Sequence, residues 1–136
     1  MKTNKTYRSL LDKSVESMLS AIEIYNKPNF LYREETFSIL AINAWELLLK
    51  ASILKKSRYN VRSIYSLKAA IKKDGSKHKT RKVVDTNRCG NPKTISIYET
   101  IAILDKEGIL TQNLKNCLEA LIELSIRPKM ASMKFS

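Results

Sequence analysis

Histidine is almost missing from this chain: His78 is the only one in 136 residues. Cysteine is scarce too, with Cys89 and Cys117 far apart and no Cys-x-x-Cys pair. Ligands so few and so scattered do not fit the familiar zinc spacings, so no metal site is expected. Two isolated thiols fit reduced cysteines in a cytoplasmic protein better than a disulfide framework. Glycine and proline occur three times each. That shortage excludes a glycine-rich phosphate cradle and argues against an all-β fold, which needs many turns. There is no Ser-His-Asp order and no paired-carboxylate spacing, so neither an enzyme of small-molecule metabolism nor a resident cofactor is expected. Met1-Lys2-Thr3-Asn4-Lys5 leads into an amphipathic stretch rather than an apolar signal core. The apolar runs Ile39-Leu40-Ala41-Ile42 and Leu47-Leu48-Leu49 are too short to span a bilayer. A cytoplasmic protein with no membrane partner is the expectation.

What the chain has in plenty is positive charge, and the charge is concentrated. The formal net charge is +12. From Lys55 to Lys93 there are 13 Lys and Arg against two acids, Asp74 and Asp85, while the remainder is nearly balanced. The densest part, Lys72-Lys73-Asp74-Gly75-Ser76-Lys77-His78-Lys79-Thr80-Arg81-Lys82, has almost no apolar residue, so a long solvated loop is expected there. Cations held in water attract polyanions, and counterion release makes such binding salt-sensitive and blind to sequence. Lys72, Lys73, Lys77, Lys79, Arg81 and Lys82 are the candidate nucleic-acid contacts, with RNA or another polyanion as the expected partner. The alternatives are a basic surface that only keeps the protein soluble, an acidic protein partner, or a membrane surface. Tyr59 and Tyr65 could stack on bases, although packing is the commoner use of tyrosine. His78 reads as a solvated loop residue.

With 43% hydrophobic and 28% charged residues the chain is globular, and 136 residues make one ordinary domain, spanning 1–136. Leu11, Val15, Met18, Leu19 and Ile22 recur at helical spacing and predict a first helix over about Lys5 to Tyr25, broken at Pro28. Tyr32, Phe37, Leu40, Ala41, Ala44, Trp45, Leu48, Leu49 and Ile53 predict a long central helix over about Leu31 to Lys56, with Glu46 and Lys50 placed for an i,i+4 ion pair. Val61 to Ile71 reads as a short helix, with an extended start as the alternative. Asn87-Arg88-Cys89-Gly90-Asn91-Pro92 is a turn cluster. Ser96 and Glu99 fit a capping box that opens a helix ending near Gly108. Thr111 caps a last helix carrying Leu114, Cys117, Leu118, Leu121 and Ile122, with Cys117 in the core and Pro128 as the stop. The expectation is an all-α antiparallel bundle of four to five helices, with a basic insertion over about 55–93 between the helix pairs.

Several short motifs stand in order along most of the chain, from about Lys13 to Leu124. They are Lys13-Ser14-Val15-Glu16, Glu23-Ile24-Tyr25-Asn26-Lys27-Pro28, Tyr32-Arg33-Glu34-Glu35-Thr36-Phe37, Asn43-Ala44-Trp45-Glu46-Leu47-Leu48-Leu49-Lys50-Ala51, and Asn91-Pro92-Lys93-Thr94-Ile95-Ser96. This run resembles domain-of-unknown-function family 3644, a bacterial family that is in turn similar in pattern to the HEPN domains. The resemblance implies a four-helix bundle that dimerises. In HEPN ribonucleases it also implies an Arg and a His at a shared cleft, acting without metal. There the His moves protons as the 2′-hydroxyl attacks the adjacent phosphate, and the Arg stabilises the developing charge. This chain departs from that pattern. After Leu124 it reads Ser125-Ile126-Arg127-Pro128-Lys129-Met130-Ala131-Ser132-Met133-Lys134-Phe135-Ser136, with no histidine. Arg127 could stand for the motif arginine and Lys134 for the histidine, but lysine is a poor general base at neutral pH. A truncated or altered member is the expectation.

Three functions compete at this point. One is a non-cleaving, HEPN-like RNA-binding module in a bacterial defence or toxin-related setting, a setting that rests on the resemblance alone. Another is a metal-independent endoribonuclease using Arg127 with Lys134. The third is a dimerisation or protein-interaction module whose basic segment meets an acidic partner.

Overall fold

The computed structural model describes the backbone of residues 2–135 and the side chains of residues 5–126. The order of elements is α1 (Lys2–Asn26), α2 (Arg33–Lys56), a 3-10 turn (Val61–Ile64), β1 (Leu67–Ile71), β2 (Lys77–Val84), α3 (Ile97–Lys106) and α4 (Gln112–Phe135). The chain is mainly helical, as expected. It is not all-α, because β1 and β2 form an antiparallel two-stranded sheet.

α2 is the central helix and packs against α1, α3 and α4. The seam between α1 and α2 is made of small residues. Ser14 and Ala21 on α1 are buried, as are Ala41 and Ala44 on α2. Side chains this short let two helix backbones come close, and the hydroxyls then reach across. Ser14 Oγ donates to the Ala44 carbonyl at 2.8 Å, and Ser17 Oγ donates to the Leu40 carbonyl at 2.8 Å. The later α1 residue meets the earlier α2 residue, so the two helices run antiparallel. This seam turns the expected apolar face of α1 partly outward: Val15, Leu19 and Ile22 all lie about half exposed.

The main core lies on the other side of α2. Leu49, Ile53 and Leu54 meet Ile101 and Leu104 of α3 and Leu118 and Ile122 of α4, with Ile64, Ile95 and Leu110 closing the cluster. Leu54, Leu104 and Leu118 are completely buried. By length and composition α2 would qualify to cross a bilayer, which its short apolar runs had not suggested. Here it is the helix on which the others pack.

Both ends of α3 and the start of α4 follow the capping chemistry written in the sequence. Ser96 Oγ accepts from the Glu99 amide at 3.2 Å. At the other end Gly108 takes φ +74, its amide donates to the Asp105 carbonyl, and the Ile109 amide donates to the Leu104 carbonyl. Those two bonds make a Schellman motif, which requires a left-handed residue at the glycine position. Thr111 Oγ1 accepts from the Leu114 amide at 3.2 Å and opens α4. Two expectations for α4 fail. Cys117 is exposed rather than in the core, because α4 buries the stripe containing Leu118 and Ile122. The helix also runs through Pro128 to Phe135. Proline's fixed φ is itself helical, so the ring costs the amide's bond to the preceding turn without forcing a stop.

The largest departure is the basic segment. Val61 to Ile71 is not one helix but a single 3-10 turn followed by strand β1, and the expected loop is largely strand β2. Asp74-Gly75 explains the fold-back. Gly75 has φ +89, its amide donates to the Lys72 carbonyl at 2.9 Å, and the Lys72 amide donates to the Ser76 carbonyl at 2.8 Å. This is a three-residue hairpin turn with a left-handed glycine. The β-branched Val83 and Val84 then pair with Lys68 and Leu67.

Candidate nucleic-acid interface

A lone two-stranded hairpin is marginal in water, so what holds this one decides whether its charges are positioned. Its base is tied to the helical body at several points. The Asp85 amide donates to the Ser66 carbonyl, the Ser66 amide to the Lys93 carbonyl, and the Lys93 amide to the Asp85 carbonyl, all within 2.9 Å. The Ile95 amide donates to the Ile64 carbonyl at 2.9 Å, and both side chains are buried in the core. Arg62 reaches from the 3-10 turn to the Lys82 carbonyl at 3.4 Å. The 87–92 turn closes on Asn87, whose side-chain oxygen accepts from the amides of Cys89 and Asn91.

Lys50 adds a bond from below. It is 6% exposed, on the face of α2 beneath the segment that follows the hairpin. Its Nζ donates to Thr94 Oγ1 at 2.9 Å and lies 3.7 Å from Glu46 Oε1. The Glu46–Lys50 pair is the helical ion pair expected from spacing. Its attachment to Thr94 was not expected, since no sequence signal links residues so far apart.

The six candidate cations lie on this support. Lys72 and Lys73 enter the turn, Lys77, Lys79, Arg81 and Lys82 belong to β2, and all six are exposed. Among the described residues, none of the six is in an ion pair. The two nearby carboxylates are otherwise engaged. Asp85 sits between Lys68 at 3.6 Å and Lys93 at 3.8 Å. Asp74 Oδ1 accepts from the Ser76 hydroxyl at 2.6 Å and the Ser76 amide at 3.0 Å. Those bonds, the hydroxyl first, hold the Asp74 carboxyl below the usual carboxylate range.

β2 is not a regular strand. Ala69 stands opposite Lys82 and Ile71 opposite Lys77, so residues 78–81 face Ala70 alone. The ring of His78 organises this bulge: its Nδ1 accepts from the Arg81 amide at 3.1 Å and the Thr80 amide at 3.4 Å. His78 is therefore a half-buried structural residue rather than a solvated loop histidine. Lys79 and Arg81 lie within this irregular stretch, and both are exposed.

Tyr59 and Tyr65 are both half-buried against the core. Tyr59 also meets Tyr7 edge to face, with ring centroids 5.4 Å apart. Arg127 and Lys134, the candidate catalytic pair, lie outside the residues whose side chains are described. Among the described residues no three His, Cys, Asp or Glu side chains come together as a metal site would need.

The family model Domain of unknown function (DUF3644) matches residues 9–127. The chain belongs to the DUF3644 family. The match begins within α1 and ends within α4, and it includes α2, the whole of the basic hairpin and α3. Neither the curated proteins nor the solved structures contain a match to this DUF3644 chain.

Proposed function

We propose that this DUF3644 protein is a non-catalytic, HEPN-like module that binds RNA through the hairpin of β1 and β2. The observation that carries the reading is an exposed group of six cations that no described carboxylate neutralises, on a hairpin fastened to the core. Ammonium and guanidinium groups at the surface can displace the counterions condensed on RNA phosphates. The antiparallel pair of α1 and α2, with α3 and α4 packed on α2, supports the helical-bundle part of the reading, and His78, the single histidine of the sequence, is held in the hairpin bulge.

The test is affinity for single-stranded RNA as a function of salt. It compares the unaltered protein with a variant in which Lys72, Lys73, Lys77, Lys79, Arg81 and Lys82 are all replaced by Gln. The unaltered protein should lose affinity steeply as salt rises. In the variant the slope of log K against log salt should become shallower by about 0.7 for each phosphate contact removed. Equal affinity and equal slope for the two proteins would remove the hairpin as the RNA-binding element.

A further inference from the structure

Away from the hairpin, a cleft of about 490 Å³ opens between the first half of α1 and the turn after α2, lined by Tyr7, Arg8, Leu11, Asp12 and Tyr59. Its size is within the range of small-molecule sites. Its composition is unusual for this molecule, with two aromatic rings, one cation and one carboxylate around a single opening.

The chain reaches this arrangement through a strained turn. Arg58 and Tyr59 both take left-handed backbone angles, φ 58 and φ 65. A bulky non-glycine residue there is an outlier, and surrounding structure must hold it. The hold is the Tyr59 amide, which donates to the Leu54 carbonyl at 2.7 Å. The result is a Tyr59 ring set against Tyr7 at 70°. An edge-to-face pair covers a face of one ring only, and both rings line the cleft while resting on the core. Arg8 and Asp12 are exposed, one helical turn apart on α1, and among the described residues neither has an ion-pair or hydrogen-bond partner.

We propose that this cleft holds one unpaired base of a single-stranded RNA. The base stacks on the tyrosines, Asp12 accepts from its N–H edge, and Arg8 meets the adjoining phosphate. Aromatic stacking tolerates any base, whereas a carboxylate acceptor favours guanine, which offers two N–H groups on one edge. The cleft and the hairpin are linked along the chain: Arg58, just before Tyr59, is exposed, and the 3-10 turn that follows carries Arg62, which bonds the Lys82 carbonyl. The inference rests on the RNA-binding reading, with the hairpin taking phosphates and the cleft taking a base.

The experiment titrates two fluorescent probes into the full chain: a short single-stranded RNA containing unpaired guanines, and a ribose-phosphate chain of the same length without bases. The unaltered protein should bind the first about tenfold more tightly. Tyr7→Leu should bring that ratio close to one. Asp12→Asn, at an exposed position that does not threaten the fold, should lower the preference for guanine over uracil probes. Both variants should bind the abasic chain as the unaltered protein does. Equal binding of the two probes by the unaltered protein overturns the cleft proposal and leaves the hairpin reading standing. So does a base preference that survives both substitutions. Failure of both probes to bind defeats the hairpin reading and the cleft together.

Discussion

Lys50 shows how much a single side chain can depend on one neighbour. A buried ammonium is costly unless it is paired, and this one has Glu46 and the Thr94 hydroxyl. Glu46→Ala should therefore destabilise the protein by about 2 kcal/mol, since it leaves a buried charge with one neutral partner. Replacing the cation itself, Lys50→Met, should cost less, within about 1 kcal/mol, because the charge leaves with it. Thermal or denaturant unfolding of the two variants checks this, and a Lys50→Met cost above that of Glu46→Ala would refute it. The pair itself was legible in the sequence from its i,i+4 spacing. The burial of Lys50 was not, because it depends on Thr94 being brought over α2 by a chain reversal. Cys117 teaches the same lesson from the other direction. It shares a helical stripe with Leu114, Leu118 and Leu121, but an apolar stripe is wider than the surface α4 buries.

At the scale of elements, the helices were legible because apolar spacing, Ser96, Gly108 and Thr111 all specify the same boundaries. The hairpin was hidden because its local signals conflict. Lysine-rich sequence reads as solvated loop, and Leu67 to Ile71 has no polar-apolar alternation to mark a strand. The Asp74-Gly75 pair was the one available signal, and it reports the turn rather than the strands on either side. That turn has a titratable component. The Asp74 carboxyl titrates below its ordinary value, so its contribution is complete above the unfolded value and fades as pH falls through the folded one. The Ser76 amide resonance should hold steady from neutral pH to about 5 and move only below about 4. Asp74→Asn should abolish that movement. A Ser76 shift centred near neutral pH would mean that another group governs the turn.

Taken as a whole molecule, the protein divides its tasks between regions of different character. A helical body supplies the core, and the short hairpin from Leu67 to Val84, with seven Lys and Arg against one acid, supplies half of the net charge. The sequence already showed this division in the uneven placement of Lys and Arg, although it gave the wrong backbone for the basic part. The strand-end bond between Ser66 and Asp85 gives the division a practical meaning. The two residues are hydrogen-bonded neighbours, so everything from Leu67 to Val84 leaves and re-enters the body through one narrow gate. Replacing those residues with a tight Asn-Gly connection should leave the far-ultraviolet helical signal intact and shift the melting temperature only modestly. Collapse of the helical signal would show that the body needs the hairpin in order to fold. An appendage attached in this way behaves as a cassette. It can be lengthened, recharged or transplanted onto another scaffold without asking the helices to repack.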